Sequence, residues 1–359
     1  MRRSSSSGAA LYAFIRAREA DRGGWWLAVG LASGLGLLSK YAMAYWLVSG
    51  LAFLALHREE RRHIPWFLGA AALALLIYVP NFLWNWSHGF VSYLHTRDNA
   101  SLAGTLFHPQ HLAEFFGAQF GVFGPVPFAG LLAIVILARR RLRTDAASLL
   151  AWFSLPTLAM MLGVSLLSRA QPNWAAPAYV AATVLVVAWL LEKGRGRQWL
   201  GASVALNLVA LAALASAHDA ALALGVDLPA KYDLLSRLKG WKSLGSASSR
   251  LLAAHWGAVL MADDRLDMAA LLYYMHPRPG EWLKWNGDDQ RIHDQFDLVA
   301  DPGRFIGRDF LLISGYGNPE RIFGRFAEVG PPEHIVIPVG GGTARTYQVF
   351  LLKEFKGYR

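Results

Sequence analysis

No cysteine occurs among the 359 residues. Disulfides, thiol nucleophiles and cysteine-ligated zinc or iron–sulfur centres are therefore excluded, and the redox compartment is left undetermined. Charge is also scarce. Asp, Glu, Lys and Arg make up 17% of the chain, against roughly 25% in an ordinary soluble domain. Hydrophobic residues reach 54%, with a mean hydropathy of +0.29, a balance that argues against a soluble protein. No cleavable signal is evident, because Met1–Ser7 is basic and serine-rich but Gly8–Ile15 is too short an apolar run for an h-region. That run is also too short to span a bilayer. It reads as the cytoplasmic end of a helix whose beginning is absent.

What the chain has is a net charge of +10 with a pI near 9.9, which alone would suit nucleic acid or an anionic membrane surface. Position decides between them. Up to Ala217 there are 18 basic and 8 acidic residues, and from His218 onward 17 of each, so the whole excess lies in the first part. Apolar stretches recur there at 24–39, 42–56, 64–84, 111–137, 146–168, 174–191 and 198–216, near the roughly 20 residues a membrane helix needs. Basic clusters fall in alternate gaps: Arg16, Arg18 and Arg22; Arg58, Arg61 and Arg62; Arg139, Arg140, Arg141 and Arg143; Lys193, Arg195 and Arg197. The positive-inside rule makes all four cytoplasmic, which gives seven crossings and puts everything after Ala217 on the outer side. Residues 24–56 then form a short helical hairpin with Lys40 near its outer tip. Gly124-Pro125-Val126-Pro127 predicts a kink or a break in 111–137, a kinked span being the plainer reading, because proline removes helix donors.

From about Asp227 the elements shorten. The patterns predict helices at Trp241–His255, Leu266–Met275 and Pro319–Phe326, buried strands at Ala258–Ala262 and Phe310–Ser314, and a closing hairpin of Ile335–Val339 with Tyr347–Leu352. Gly340-Gly341-Gly342 between those two strands reads as a turn, since no phosphate-cradling glycine pattern accompanies it. The expected organisation is a cytoplasmic segment 1–23, a transmembrane region 24–217 and an extracytoplasmic α/β domain 218–359.

Fifteen of the 18 basic residues in the membrane part serve topology, which leaves Lys40, Arg97 and Arg169 facing outward. Charges at membrane depth are costly and mark sites or pathways, and an ammonium or guanidinium there can neutralise a phosphate. The plainer alternatives are snorkelling for Lys40, the weaker reading there, and a solvated loop charge for the two arginines. The outward acids are Asp98, for which a local ion pair with Arg97 is the plain reading, and Glu114, one turn into an apolar helix, either a polar helix-entry residue, the preferred reading, or a general base if burial raises its pKa. His88, His95, His108 and His111 crowd the same region. His108 and His111 have a spacing compatible with a shared divalent metal, but the signal lacks carboxylates and no cofactor is certain. Asn85-Trp86-Ser87 and Asn99-Ala100-Ser101 are formal glycosylation sequons. Trp84, Trp86, Phe90 and Tyr93 are explained by an interfacial aromatic belt.

Residues 25–41, ending Leu38-Ser39-Lys40-Tyr41, followed by Asn81-Phe82-Leu83-Trp84-Asn85, His88-Gly89-Phe90-Val91-Ser92 and Pro172-Asn173-Trp174-Ala175, resemble the bacterial branch of the dolichyl-phosphate-mannose–protein mannosyltransferase family, which includes the aminoarabinose transferases of lipid A. The ending Phe350–Tyr358 fits the same pattern. The resemblance implies a mainly α, multi-pass helix bundle of the GT-C type in the bacterial inner membrane, with a periplasmic C-terminal α/β domain. It also implies transfer of a sugar from a polyprenyl-phosphate donor to a lipid, glycan or protein acceptor on the outer face. Under it, Lys40, Tyr41, His88, Arg97 and Arg169 are the expected substrate-binding residues. Family members carry further N-terminal helices with the catalytic acids in their first outer loop, and this sequence starts after them. Asp98 and Glu114 remain as substitutes, and the chain is expected to bind donor but to be inactive alone. Two other readings stay open: a transporter or flippase for a lipid-linked anion, and a non-catalytic subunit that partners another membrane protein or a separate N-terminal half. The absence of an internal repeat disfavours the transporter.

Overall fold

The computed structural model describes residues 5–20, 23–94, 107–225, 233, 235–315, 317–340 and 342–358. The chain divides into two compact units, Met1–Val209 and Ala210–Arg359.

The first unit is helical. Every one of the seven apolar stretches becomes helix: α2 (Gly23–Ser39), α3 (Met43–Leu56), α4 (Ile64–Ser87), α5 (Pro109–Val122) with α6 (Pro125–Leu137), α7 (Asp145–Trp152) with α8 (Leu155–Leu167), α9 (Ala178–Leu191) and α10 (Gly196–Ala223). Among the described residues, three helical segments are long and apolar enough to cross a membrane: Arg58–Ser87, Asp145–Leu167 and Gly196–Ala217. A fourth is gained if α5 and α6 count as one span. The last of the three is exposed along almost all its length, as suits a helix whose neighbours are lipid chains.

The stretch 111–137 is broken rather than kinked, against the plainer reading of its sequence. Helices α5 and α6 meet at 118°, well beyond a proline kink, because Gly124 sits at φ +100° between them and Pro125 starts a new helix.

The expected hairpin of α2 and α3 is present. Lys40, Tyr41 and Ala42 separate the helices, and the bases meet where the Arg18 guanidinium grips the Glu60 carboxylate, Nε to Oε2 at 2.8 Å. Within the expected cytoplasmic segment 1–23, Ser5–Ala20 form a helix, α1, that packs into the bundle. Ala10, Ala13 and Ala17 let the backbones approach closely, and Phe14, fully buried, meets Trp26, Trp46, Phe53, Phe67 and Phe153 edge to face. The Ser7 hydroxyl lies 3.6 Å from the Met43 sulfur. Helix α1 therefore runs beside the hairpin from its tip to its base. The apolar count missed it because only eight of its residues form a continuous apolar run.

The four basic clusters gather at the hairpin's base end. Arg18–Glu60 joins the first to the second, His57 Nε2 and Ser148 Oγ at 3.1 Å join the second to the helix that follows the third, and the Arg141–Glu192 ion pair joins the third to the fourth.

The second unit is a mixed six-stranded sheet. Strands β1 (Val259–Ala262), β2 (Trp282–Lys284) and β3 (Phe310–Ser314) are parallel in the order β2-β1-β3. Strand β6 (Thr343–Lys353) pairs antiparallel with β3, and along its other edge with β4 (Glu328–Val329) and β5 (Glu333–Gly340). One face packs Leu260, Leu311 and Val349 against α11 (Trp241–Ala254) and α12 (Arg265–Tyr274). The other buries the aromatic set Phe305, Phe310, Phe326 and Phe355. The five-residue run of β3 is buried at every position because it is central with both faces covered. Strand β2, three residues ending in Lys284, carries too short a pattern to be read from sequence.

Candidate functional site

The group forms at the tip of the α2–α3 hairpin. Lys40, half-buried just past α2, donates from Nζ to the carbonyl of Asn173 at 3.4 Å. Asn173 belongs to the 3₁₀ turn Pro172–Ala175. Tyr41 stacks on Tyr93 with ring centroids 5.2 Å apart and meets Tyr78 edge-on at 6.0 Å. Its hydroxyl donates to Asn81 Oδ1 at 3.5 Å, and the Tyr78 and Tyr93 hydroxyls are hydrogen-bonded to each other.

Asn85 ties the chain that follows α4 to this group. It is fully buried; its Nδ2 donates to the Asn81 carbonyl at 3.0 Å and to Asn81 Oδ1 at 3.2 Å, while its Oδ1 accepts the Ser92 N–H at 3.3 Å. Asn81 and Asn85 are one helical turn apart, so both amides lie on one face of α4. Gly89 and Phe90 both take left-handed φ values, +64° and +57°, which turns the chain back toward Tyr41. For a phenylalanine that conformation is strained. It is held by the Phe90 N–H bond to the Asn85 carbonyl at 2.7 Å and by ring contacts with Phe82, Trp86 and Tyr93.

Among the described residues, His88, Arg169 and Glu114 share no side-chain hydrogen bond or ring contact with this group. His88 stacks on Trp84 at 4.3 Å, and its Nδ1 lies 2.8 Å from the Trp84 carbonyl, within the last turn of α4. Arg169 is exposed in the segment after α8. Glu114 is exposed in the second turn of α5. Behind it, buried Gln119 donates to the Phe115 carbonyl at 2.8 Å and accepts from the Tyr179 hydroxyl at 2.5 Å. Arg97, Asp98, His95 and the sequon Asn99-Ala100-Ser101 lie outside the described residues. The other sequon is shut, because Asn85 has its amide engaged inside the bundle.

His108 and His111 stack at 4.7 Å, and His111 Nδ1 lies 3.1 Å from the Ser168 carbonyl. Among the described residues no three His, Asp or Glu side chains are grouped to hold a metal ion.

Sequence reasoning named Lys40 and Tyr41 but missed Tyr78, Asn81, Asn85 and Asn173 as members of the site. A signal existed in Asn81 and Asn85, two polar residues one turn apart near the end of a long apolar helix. The described part of the group sets an ammonium near hydroxyls and amides. Such a set can neutralise a phosphate and hydrogen-bond to a sugar.

Residues 6–84 match the model of the dolichyl-phosphate-mannose-protein mannosyltransferase family. The lipid A galacturonosyltransferase RgtD of Rhizobium johnstonii is 31% identical over 266 residues, which cover 74% of this chain and 55% of that protein. The chain thus spans about half the length of that relative. No solved structure matches it.

Proposed function

We propose that the chain, which matches the dolichyl-phosphate-mannose-protein mannosyltransferase family over residues 6–84 and RgtD over 266 residues, moves a sugar from a polyprenyl-phosphate donor to an acceptor at the outer face of the inner membrane. The observation that carries this reading is the meeting of three separate sequence motifs at Lys40. Residues 39–41, 81–85 and 172–175, remote in sequence, share one hydrogen-bonded group.

In the proposed step the acceptor oxygen bonds to the anomeric carbon as the bond from that carbon to the donor phosphate breaks. The electron pair leaves with the phosphate, and the acceptor proton passes to a base. Lys40 meets the charge that develops on the departing phosphate, a role in which a positioned cation lowers the barrier. Tyr41, with Asn81 and Asn173 beside it, orients the sugar and phosphate oxygens. Glu114 and Asp98 are the candidate bases within the chain; His88, Arg97 and Arg169 are proposed to line the approach. The relative acts, by its name, on lipid A, which favours a lipid acceptor over glycan or protein here.

Binding and transfer are tested separately. Membranes carrying the chain are labelled with a photoreactive polyprenyl phosphate, and Lys40→Met is expected to reduce labelling about 10- to 100-fold, the loss of one charge-assisted contact. Lys40→Arg should retain most of it. Undiminished labelling of Lys40→Met removes Lys40 from the site. In membranes where the wild-type chain supports transfer from a radiolabelled donor to a lipid acceptor extract, Glu114→Gln or Asp98→Asn should lower that transfer about 10²- to 10⁴-fold if that residue is the base. Transfer unchanged in both variants rejects the two together.

A further inference from the structure

Trp256 is 95% exposed, the most exposed of the large apolar side chains among the described residues. A scattered surface hydrophobe needs no explanation by itself. The setting of this one does. It stands on a turn that follows α11, closed by the Ala258 N–H bonding to the His255 carbonyl at 3.0 Å, with Gly257 at φ +95°, where a side chain at 257 would be strained. The turn is pinned from outside. Arg308 Nη2 donates to the Gly257 carbonyl at 3.2 Å and to Glu281 Oε2 at 2.7 Å, and the chain leaves the turn directly into buried β1. The turn is thus fixed by its own Ala258–His255 bond and by Arg308, while the indole is left in solvent.

Two clefts flank the ring, and both include Trp256, Gly257 and Ala258 in their walls. One, of about 360 Å³, is completed by His255, Arg308 and Asp309. The other, of about 390 Å³, sets Ser249, Arg278 and Glu281 beside the apolar Leu252, Met275 and Pro277.

We infer that Trp256 and its two clefts form a saccharide-binding subsite. The apolar C–H face of a sugar ring packs on a rigid indole, and its hydroxyls, each both donor and acceptor, suit walls that offer donors and acceptors of both signs. Cations alone would point to an anion, and a purely apolar rim to a lipid or a protein partner. Here Asp309 and Glu281 accompany Arg308 and Arg278, which disfavours both an anionic surface and a hydrophobic docking face. Preorganisation supports the reading, because a ring held on a pinned turn loses little freedom when a ligand stacks on it. The subsite lies in the C-terminal unit and is argued from its own geometry, so its failure leaves the proposed transfer reaction standing.

The test uses the full chain in lipid nanodiscs and saturation-transfer NMR with maltotriose, chitotriose and digalacturonate, one at a time. At least one should show transfer to its ring C–H protons, with affinity reduced about tenfold or more in Trp256→Ala and kept within about threefold in Trp256→Phe. Both variants should melt with the wild type, since the indole makes no core contact. No signal from any of the three sugars, or a signal that Trp256→Ala leaves unchanged, would overturn the inference. So would a 5-fluorotryptophan resonance, assigned through Trp256→Phe, that paramagnetic lipid headgroups broaden and sugars do not shift, since that places the ring in the membrane interface.

Discussion

Asp267 is buried in α12, where the Tyr347 hydroxyl donates to its Oδ1 at 3.2 Å. Burial is the main reason its carboxyl is pushed up to about 6; Asp264 and Asp263 push the same way, against the Tyr347 bond and Arg345. The folded chain therefore holds this proton more tightly than the unfolded chain does. Stability from this residue is fullest below about pH 4, falls as pH rises toward 6, and stays reduced above that. Asp267→Asn keeps the acceptor for Tyr347 and cannot ionise. Calorimetric melting of the C-terminal unit within the whole chain should show the variant gaining on wild type between pH 4.5 and 7, by roughly 1 to 2 kcal/mol after solvent screening. A constant difference across that range would show that Asp267 carries no such burden. Nothing in the sequence announces this carboxylate, which sits in an ordinary amphipathic helix. Lys40, by contrast, was legible because a charge inside an apolar run is costly wherever the run folds. Asn85 and Tyr93 fall between these cases: the sequence marks them as polar or interfacial, and only the return of the chain through Gly89 and Phe90 shows what they touch.

Elements were legible where one residue pattern decides them. Helix α4 and strand β3 follow from long or continuous apolar runs. The break between α5 and α6 was legible in place and not in size, because proline signals a lost donor whereas the angle depends on Gly124. Its φ of +100° is outside the range of other residues, and a Cβ there would come within 3.1 Å of Asn207 Nδ2 on α10. Gly124→Ala should destabilise the purified protein by roughly 1 to 3 kcal/mol, the cost of a strained backbone position, read as a lower melting temperature. Gly117→Ala, a helix position with open space around it, should be neutral or slightly stabilising. Equal melting of the two variants would mean that the 118° turn does not depend on this glycine. Helix α1 was missed for a different reason: its register in the bundle comes from Phe14 meeting five rings at once, and tertiary packing of that kind leaves no periodic trace in a 16-residue segment with a short apolar run.

Across the whole molecule, the charge pattern and the contacts meet in one claim about sidedness. The four basic clusters are chained together at the Arg18 end of the bundle, and the Lys40 group with Asn173 lies at the other. If the clusters are cytoplasmic, as the positive-inside rule requires, then Lys40 faces outward. So does the start of α1, because Ser7 is beside Met43. The chain has no cysteine, so single cysteines can be introduced and reported without background. In intact cells with the outer membrane permeabilised, a membrane-impermeant maleimide is expected to label Ser39→Cys, Ser6→Cys and Leu224→Cys, and to label Arg61→Cys and Arg141→Cys only after lysis. Labelling of Arg141→Cys before lysis would reverse the whole assignment, and with it the outward placing of the site. Protection of Ser6→Cys with labelling of Ser39→Cys would leave the site in place and detach α1 from the packing described here. The Ser6 and Ser39 positions must therefore agree with each other and disagree with Arg61, a pattern that a soluble protein, an inverted one and a bundle without α1 each fail to produce.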